Sequence, residues 1–315
     1  MAEEDKKKKN KNLKMDWTIE LARIPATLTI IFGHMFLYSQ WLPSGHWLGF
    51  PIPIAIGIFM YCSGYVNGLK NKFSAPGTLT LSKYGNYVKN RFIRLYIGYY
   101  LALTSVFIAR LVSGSLVNPD ILVNITPWTL FMDLTSTWSV FDPGAVIASS
   151  MGAGSIWSEG WFIGANFLVS LLYPILNRLM SKNRIYIYLI FISFASLRVS
   201  IILYAILSGN LMFTIYAYFT WFAWIDVYTL GLILGDKYRI TKGIPIVKTK
   251  FQRLIVRIGI RTWPMYLTHI IPIVFISKFA APYEFIIIFL IILPLTELYY
   301  RILKKIYTFI KKWIK

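Results

Sequence analysis

Long apolar runs recur along the whole chain, and each is long enough to cross a lipid bilayer as a helix. A transmembrane helix needs about 20 predominantly apolar residues. Eight such runs are present, at 17–40, 48–69, 94–113, 157–177, 185–207, 212–235, 262–280 and 284–301. They predict an all-α fold, a polytopic transmembrane helical bundle, because a helix satisfies its own backbone hydrogen bonds inside a bilayer.

The overall composition agrees with a membrane protein. Of 315 residues, 57% are hydrophobic and 15% are charged, against about 25% charged in an ordinary soluble domain. A net charge of +20 in a soluble protein would suggest nucleic-acid binding. The position of the basic residues therefore has to decide between a nucleic-acid partner and a membrane.

Most of the 33 Lys and Arg residues lie before the first run, in alternate gaps between runs, or after the last run. The basic gaps are 70–94, 178–184 and 237–261. Cytoplasmic loops carry the excess of Lys and Arg, so this pattern predicts that both termini are cytoplasmic, and an even span count agrees. We expect a multi-pass protein of the cytoplasmic (plasma) membrane, with the lipid bilayer and not nucleic acid as its partner.

The same pattern divides the chain into three parts. Residues 1–14 form a basic cytoplasmic tail, 15–303 a membrane-embedded domain, and 304–315 a second basic tail. The gap 114–156 has no Lys or Arg and is placed outside. Within it, the apolar segment 121–134 is too short for one span, so it is either re-entrant or interfacial. Two short crossings there would give ten spans instead of eight.

Metal and disulfide chemistry have no sequence support. Cys62 is the only cysteine, which rules out an intrachain disulfide and a cysteine-based metal cluster. His34, His46 and His269 are scattered without the short spacing of a zinc site. No serine-hydrolase elbow or Walker loop occurs. We therefore predict a protein without a metal.

The first run contains Arg23 and His34, which are separated by ten residues with no other charge between them. Eleven helical steps of about 100° return close to whole turns and rise about 16 Å, so both groups share a face. Ionisable residues inside a membrane are rare and usually functional. The alternative for His34 is a packed polar residue.

A second basic pair, Arg91 and Arg94, stands where the third run leaves the cytoplasm. Spacing of three places both guanidinium groups on one helical face. Such a pair can bind phosphate by bidentate hydrogen bonds. Arginines at this position are also ordinary topology anchors. Considered without Arg23, the pair does not decide between phosphate binding and this anchoring role.

These motifs together resemble the acyltransferase-3 family of integral membrane acyltransferases. The most specific matches are Asp16 and Trp17 followed by the Arg, ten residues, His pattern of Arg23 and His34, and the Arg-x-x-Arg pair at Arg91 and Arg94. Weaker echoes follow in the family's order, at 58–65, 161–174, 229–235 and 264–270. One departure concerns two adjacent glutamates found in many members, because Asn166 and Phe167 stand near that place here.

The resemblance implies an O-acyltransferase that moves an acyl group, with acetyl expected, from acyl-coenzyme A to a hydroxyl of an envelope glycan or lipid-linked sugar. Arg91, Arg94 and Arg23 would meet the donor's phosphates, with Arg23 also counted among the catalytic residues, and His34 would act as general base. A covalent acyl-histidine is an alternative that nothing in the sequence requires. The runner-up function is a transporter or flippase for a polysaccharide or lipid-linked intermediate, and a scaffold subunit is third.

Several other charged or polar residues have no role that the sequence assigns. Arg198 is expected either to pair with Asp226 or Glu159 or to line the acceptor cavity, and Glu297 and His269 stay unassigned. The segment 250–261 alternates basic and apolar residues with helical spacing. It predicts an amphipathic helix on the cytoplasmic membrane surface, whose basic face is either solvated or a funnel for coenzyme A.

Overall fold

The computed structural model describes residues 16–38, 51–113, 126–137, 156–157, 160–209, 220–243, 245, 247–276 and 283–313. Of the described residues, 87% are helical and none lies in a strand. The all-α prediction is therefore confirmed. His46, Glu159 and most of the gap 114–156 lie outside the described residues.

The described helices, in chain order, are α1 (Trp17–Tyr38), α2 (Pro51–Lys70), α3 (Leu81–Val112), α4 (Pro127–Thr135), α5 (Trp161–Leu171), α6 (Tyr173–Lys182), α7 (Arg184–Ser208), α8 (Ile225–Lys242), α9 (Lys250–Gly259), α10 (Thr262–Thr268), α11 (Ile270–Ile276) and α12 (Tyr283–Trp313). A 3₁₀ turn, Trp221–Trp224, precedes α8.

Among the described residues, five helical segments are long and apolar enough to cross a membrane. They are α2, α3, the consecutive helices α5 and α6, α7, and the part of α12 from Ile286 to Ile310. Three predicted runs correspond to helices that are not among these five segments. They are 17–40 (α1), 212–235 (α8) and 262–280 (α10 and α11). A total of eight to ten spans, cytoplasmic termini and the boundaries at 14 and 303 remain predictions.

Helix α3 begins well before the predicted run 94–113. The Thr80 hydroxyl accepts a hydrogen bond from the backbone N–H of Lys83 at 3.3 Å and caps the first turn. The polar turns that follow contain Arg91 and belong to the same helix. Hydrophobicity locates the apolar part of a span, whereas a capping residue marks where the helix starts.

Asp16 joins the start of α1 to α2. Its carboxylate accepts hydrogen bonds from the backbone N–H of Thr18 at 3.0 Å and the hydroxyl of Thr18 at 2.6 Å. The hydroxyl of Tyr65 in α2 donates to the same carboxylate at 3.1 Å. Asp16 therefore fixes the start of α1, the helix that contains Arg23 and His34, against α2.

Helices α2 and α8 approach each other closely along two pairs of glycines. A Cβ atom on Gly64 would lie 2.0 Å from the carbonyl oxygen of Tyr228, and one on Gly231 would lie 2.2 Å from that of Tyr61. Gly68 and Gly235 continue the contact one turn further along. Small residues four apart allow helix backbones to touch in a membrane, where packing replaces the hydrophobic effect between helices.

Helix α7 presents an apolar surface to the outside of the bundle. Only Ile187 and Ala205 of this helix are buried. Its exposed large apolar residues include Ile185, Leu189, Ile192, Leu197, Val199, Leu203 and Leu207. An exposed apolar surface of this length suits contact with lipid chains.

Candidate active site

Arg91 points into the junction of three helices. Its Nε donates to the hydroxyl of Ser170 at 3.0 Å, and one terminal nitrogen donates to Ser63 at 2.8 Å and to the side-chain oxygen of Asn166 at 2.7 Å. Helix α2 supplies Ser63, and α5 supplies Asn166 and Ser170. All three partners are neutral, so they orient the guanidinium without neutralising its charge.

Other basic side chains lie within electrostatic range of this guanidinium. Arg91 lies close enough to Arg94 and Arg23 for their charges to repel, and Lys70 is repelled by these three arginines and by Lys72. We call Arg23, Lys70, Lys72, Arg91 and Arg94 the basic cluster. The structure thus brings together all three arginines that the sequence proposed for the donor phosphates.

Arg23 is the one member of the basic cluster for which the described structure contains an ion pair. Its Nη1 donates to the carboxylate of Glu20 at 2.9 Å, one helical turn earlier in α1. Glu20 is 2% exposed. The Nε of Arg23 is buried and has no hydrogen-bond partner among the described residues.

Arg94 differs from Arg91 although both lie in α3. Its side chain is exposed. Its backbone carbonyl accepts a hydrogen bond from the hydroxyl of Tyr307 in α12 at 2.6 Å. The two arginines thus have different environments, with Arg91 fixed between helices and Arg94 at the surface of the cluster.

His34 lies further along α1 and contacts a second histidine. Its Nδ1 is 2.7 Å from Nε2 of His269, which lies between α10 and α11. The rings are nearly parallel, at 10°, with centroids 4.9 Å apart. His269 has no exposed surface, whereas His34 is half-buried. His34 is therefore the more accessible member of the pair.

Aromatic side chains hold the segment that contains His269. Tyr266 stacks on Trp263 with centroids 5.8 Å apart and contacts Phe162 of α5 edge-on at 5.6 Å. Its backbone carbonyl oxygen lies 2.5 Å from Nδ1 of His269. The second histidine is thus fixed both by packing and by a backbone contact.

Sequence reasoning placed Arg23 and His34 on one helix, and the structure does so. The sequence assigns no role to His269, although the segment 264–270 that contains it resembles the family. Sequence reasoning also noted Asn166 only as a departure, whereas Asn166 is a direct partner of Arg91. Contacts between residues 75 or 235 positions apart have no local sequence signal.

The profile of the acyltransferase-3 family, described as an acyltransferase domain, matches residues 16–246. The chain belongs to the acyltransferase-3 family. It is a membrane acyltransferase, and the family match does not favour the transporter alternative. No curated protein and no solved structure matches the chain.

Other charged residues of the described helices form ion pairs outside the basic cluster. Arg198 of α7 pairs with Asp226 of α8 at 2.5 Å and lies over the ring of Trp224, 4.8 Å from its centroid. Glu297 of α12 accepts from Arg261 at 2.8 Å and from Arg301 at 2.9 Å. Of the two expectations for Arg198, the geometry agrees with the pair.

Helix α9 confirms the predicted helix at 250–261. Thr249 and Gln252 form a capping box at its start. Ile255 and Val256 are buried, while Phe251, Leu254 and Ile258 are exposed. Gly259 packs directly on Glu20 of α1, since a Cβ atom there would lie 2.3 Å from the Cβ of Glu20. The amphipathic helix thus adjoins the ion pair of Arg23.

Proposed function

We propose that the protein is an O-acyltransferase that uses acyl-coenzyme A, acetyl-coenzyme A first of all, to acylate a hydroxyl of an envelope glycan or a lipid-linked sugar. The observation that carries the proposal is the arrangement along α1. The basic cluster includes Arg23 and holds four further cations without an ion pair in the described structure, and a partly exposed histidine, His34, lies eleven residues beyond Arg23 on the same helix. That separation is about 16 Å.

The basic cluster suits the phosphate end of the donor. Its five cations face a single described carboxylate, that of Glu20, within hydrogen-bond distance. Guanidinium groups bind phosphate oxygens by paired hydrogen bonds, and the binding is strong where water is excluded. Coenzyme A is cytoplasmic, the side to which the positive-inside rule assigns this end of α1. Arg91, Arg94 and Arg23 are the proposed phosphate ligands.

The position of His34 suits the thioester end. A long pantetheine arm separates the phosphates of coenzyme A from its thioester, so a donor bound at the cluster reaches along α1 towards His34. A hydroxyl is a poor nucleophile at neutral pH, and a positioned base typically accelerates such a reaction by about 10²–10⁴-fold. His34 is the proposed general base, without a metal and without a covalent acyl-enzyme.

The acceptor is proposed from the place of the site within the bilayer. His34 lies about 16 Å deeper than Arg23 along α1, so a hydroxyl can enter from the side opposite the donor. This arrangement supports acylation of an envelope sugar across the membrane.

The test is transfer of labelled acetyl groups from acetyl-coenzyme A to endogenous acceptors in inside-out membrane vesicles. We expect transfer by the wild-type protein and a loss of about 10²–10⁴-fold in His34→Ala. The elution profile in size-exclusion chromatography verifies that the variant is folded. Equal transfer by the folded variant and the wild-type protein would rule out His34 as the base.

A further inference from the structure

We propose that His269 is a positioning residue that holds His34 in the tautomer with its proton on Nδ1 and a free electron pair on Nε2. The inference rests on the proposed function, because it names the nitrogen that accepts the proton of the acceptor hydroxyl. It also assigns a role to the histidine that sequence reasoning left without one.

The first step concerns His269 and the backbone of Tyr266. A carbonyl oxygen only accepts hydrogen bonds, so Nδ1 of His269, 2.5 Å from the Tyr266 oxygen, has to carry a proton. In a neutral ring the other nitrogen, Nε2, then holds an electron pair. A doubly protonated His269 would place a full charge on a side chain with no exposed surface. The neutral form is therefore favoured.

The second step determines which nitrogen of His34 carries a proton. Its Nδ1 lies 2.7 Å from Nε2 of His269, which is the acceptor. A hydrogen bond needs one proton between the two nitrogens, so Nδ1 of His34 supplies it. In a neutral His34 the electron pair then resides on Nε2. One backbone carbonyl thus determines the tautomers of two imidazole rings in series.

Packing keeps the two rings in this arrangement. His269 is fully buried at the break between α10 and α11, and Thr268 beside it donates to the carbonyl of Pro264 at 3.0 Å. The two histidine rings are inclined by only 10°. A hydrogen-bond partner that orients a catalytic imidazole in this way is a general feature of acid–base sites.

The proton transfers balance when Nε2 of His34 is the base. Nε2 takes the proton of the acceptor hydroxyl while the hydroxyl oxygen forms a bond to the thioester carbonyl carbon. The carbon–sulfur bond then breaks, and the leaving thiolate takes the proton from Nε2, which regenerates neutral His34. The proton on Nδ1 stays in place, and His269 stabilises the transient imidazolium by accepting from it.

The direct test is ¹⁵N magnetic resonance of the full-length protein labelled at histidine. The chain has 3 histidines, so a His46→Gln variant and a His269→Phe variant assign the signals. We expect His34 to be protonated on Nδ1 and unprotonated on Nε2 in the otherwise native protein. In His269→Phe, which keeps a ring but removes the acceptor, we expect a mixture of tautomers for His34.

Activity gives a second readout with a conservative control. His269→Phe should lower kcat by about 10- to 100-fold, by analogy with the loss seen when the outer hydrogen-bond partner of a metal-bound histidine is removed, and leave the KM for acetyl-coenzyme A unchanged. His269→Gln places an amide oxygen near the position of Nε2 and should recover most of the lost kcat. A purely structural role would not produce this difference at equal thermal stability.

Different results would contradict the proposed function and the proposed tautomer of His34. A wild-type protein without acyl transfer would overturn the proposed function. An active wild-type protein whose His34 is protonated on Nε2 would overturn the inference alone. So would equal kcat values for folded His269→Phe and the wild-type protein.

Discussion

The side-chain oxygen of Asn166 accepts a hydrogen bond from Arg91 at 2.7 Å. The family resemblance places a pair of glutamates near this point in many members, and a carboxylate there would neutralise the guanidinium. The neutral amide instead orients Arg91 and leaves its charge available for an anion. The departure from the family pattern therefore lies next to the proposed donor site.

Substitutions of Arg91 and Arg94 should both weaken donor binding, but only the Arg91 substitution should also lower stability. Arg94→Ala removes an exposed charge, so we expect weaker binding of acetyl-coenzyme A with little change in thermal stability. Arg91→Ala removes the same charge and also leaves Ser63, Asn166 and Ser170 without their shared donor. We expect it to lower the free energy of unfolding by about 1–3 kcal/mol as well.

Isothermal titration calorimetry with acetyl-coenzyme A and thermal melts in the same detergent measure these two effects. Lys304→Ala, which removes an exposed cation from α12, is the matched control for net charge. Unchanged affinity in Arg94→Ala and Arg91→Ala would refute the phosphate role of the pair.

Substitutions of Glu20 and Arg23 should have coupled effects on the free energy of unfolding, because the two side chains form an ion pair. Arg23→Gln leaves a carboxylate that is 2% exposed without its cation, and breaking a buried pair costs about 3 kcal/mol. The double variant Glu20→Gln/Arg23→Gln removes both charges and should recover most of that loss. Thermal melts of the two single variants and the double variant provide the measurement, and additive losses would contradict the coupling.

The contact between α2 and α8 should tolerate no added methyl group. Gly231→Ala would place a Cβ atom 2.2 Å from the carbonyl oxygen of Tyr61, so we expect a loss of about 1–3 kcal/mol in the free energy of unfolding. Gly85→Ala is the control, because a Cβ atom there meets nothing within 4 Å. It should be neutral or stabilise α3 by up to about 1 kcal/mol. Equal melting temperatures for both variants would contradict the close approach.

The pair between Arg198 and Asp226 should support structure and not acyl transfer. Both side chains are largely buried, at 15% and 9% exposed, so Asp226→Asn should lower stability by about 3 kcal/mol. Arg198→Leu/Asp226→Leu should recover stability, because well-packed apolar residues often replace a buried pair without loss. Acetyl transfer in vesicles should stay at the wild-type level in the double variant. A specific loss of transfer would favour the acceptor-cavity alternative.

Much of the fold was predictable because the membrane imposes a simple rule on sequence. Every predicted run contains a helix wherever the structure describes it, and α9 was predicted from its alternating charges. The residues at which helices begin were harder to predict from the sequence. Helix α3 begins 13 residues before the predicted run, because capping and polar turns extend a helix beyond its apolar part.

The sequence by itself determined the helical class and the shared helix of Arg23 and His34, because composition and helical periodicity are local properties of the chain, and its motifs carried the resemblance to the family. Only the tertiary structure brought Asn166 to Arg91 and His269 to His34. Those contacts join helices far apart in sequence, and their geometry depends on how closely the backbones pack. Glycine contacts between α2 and α8 decide that packing in part of the bundle, so the partners of the site residues follow from the assembled bundle and not from spacing.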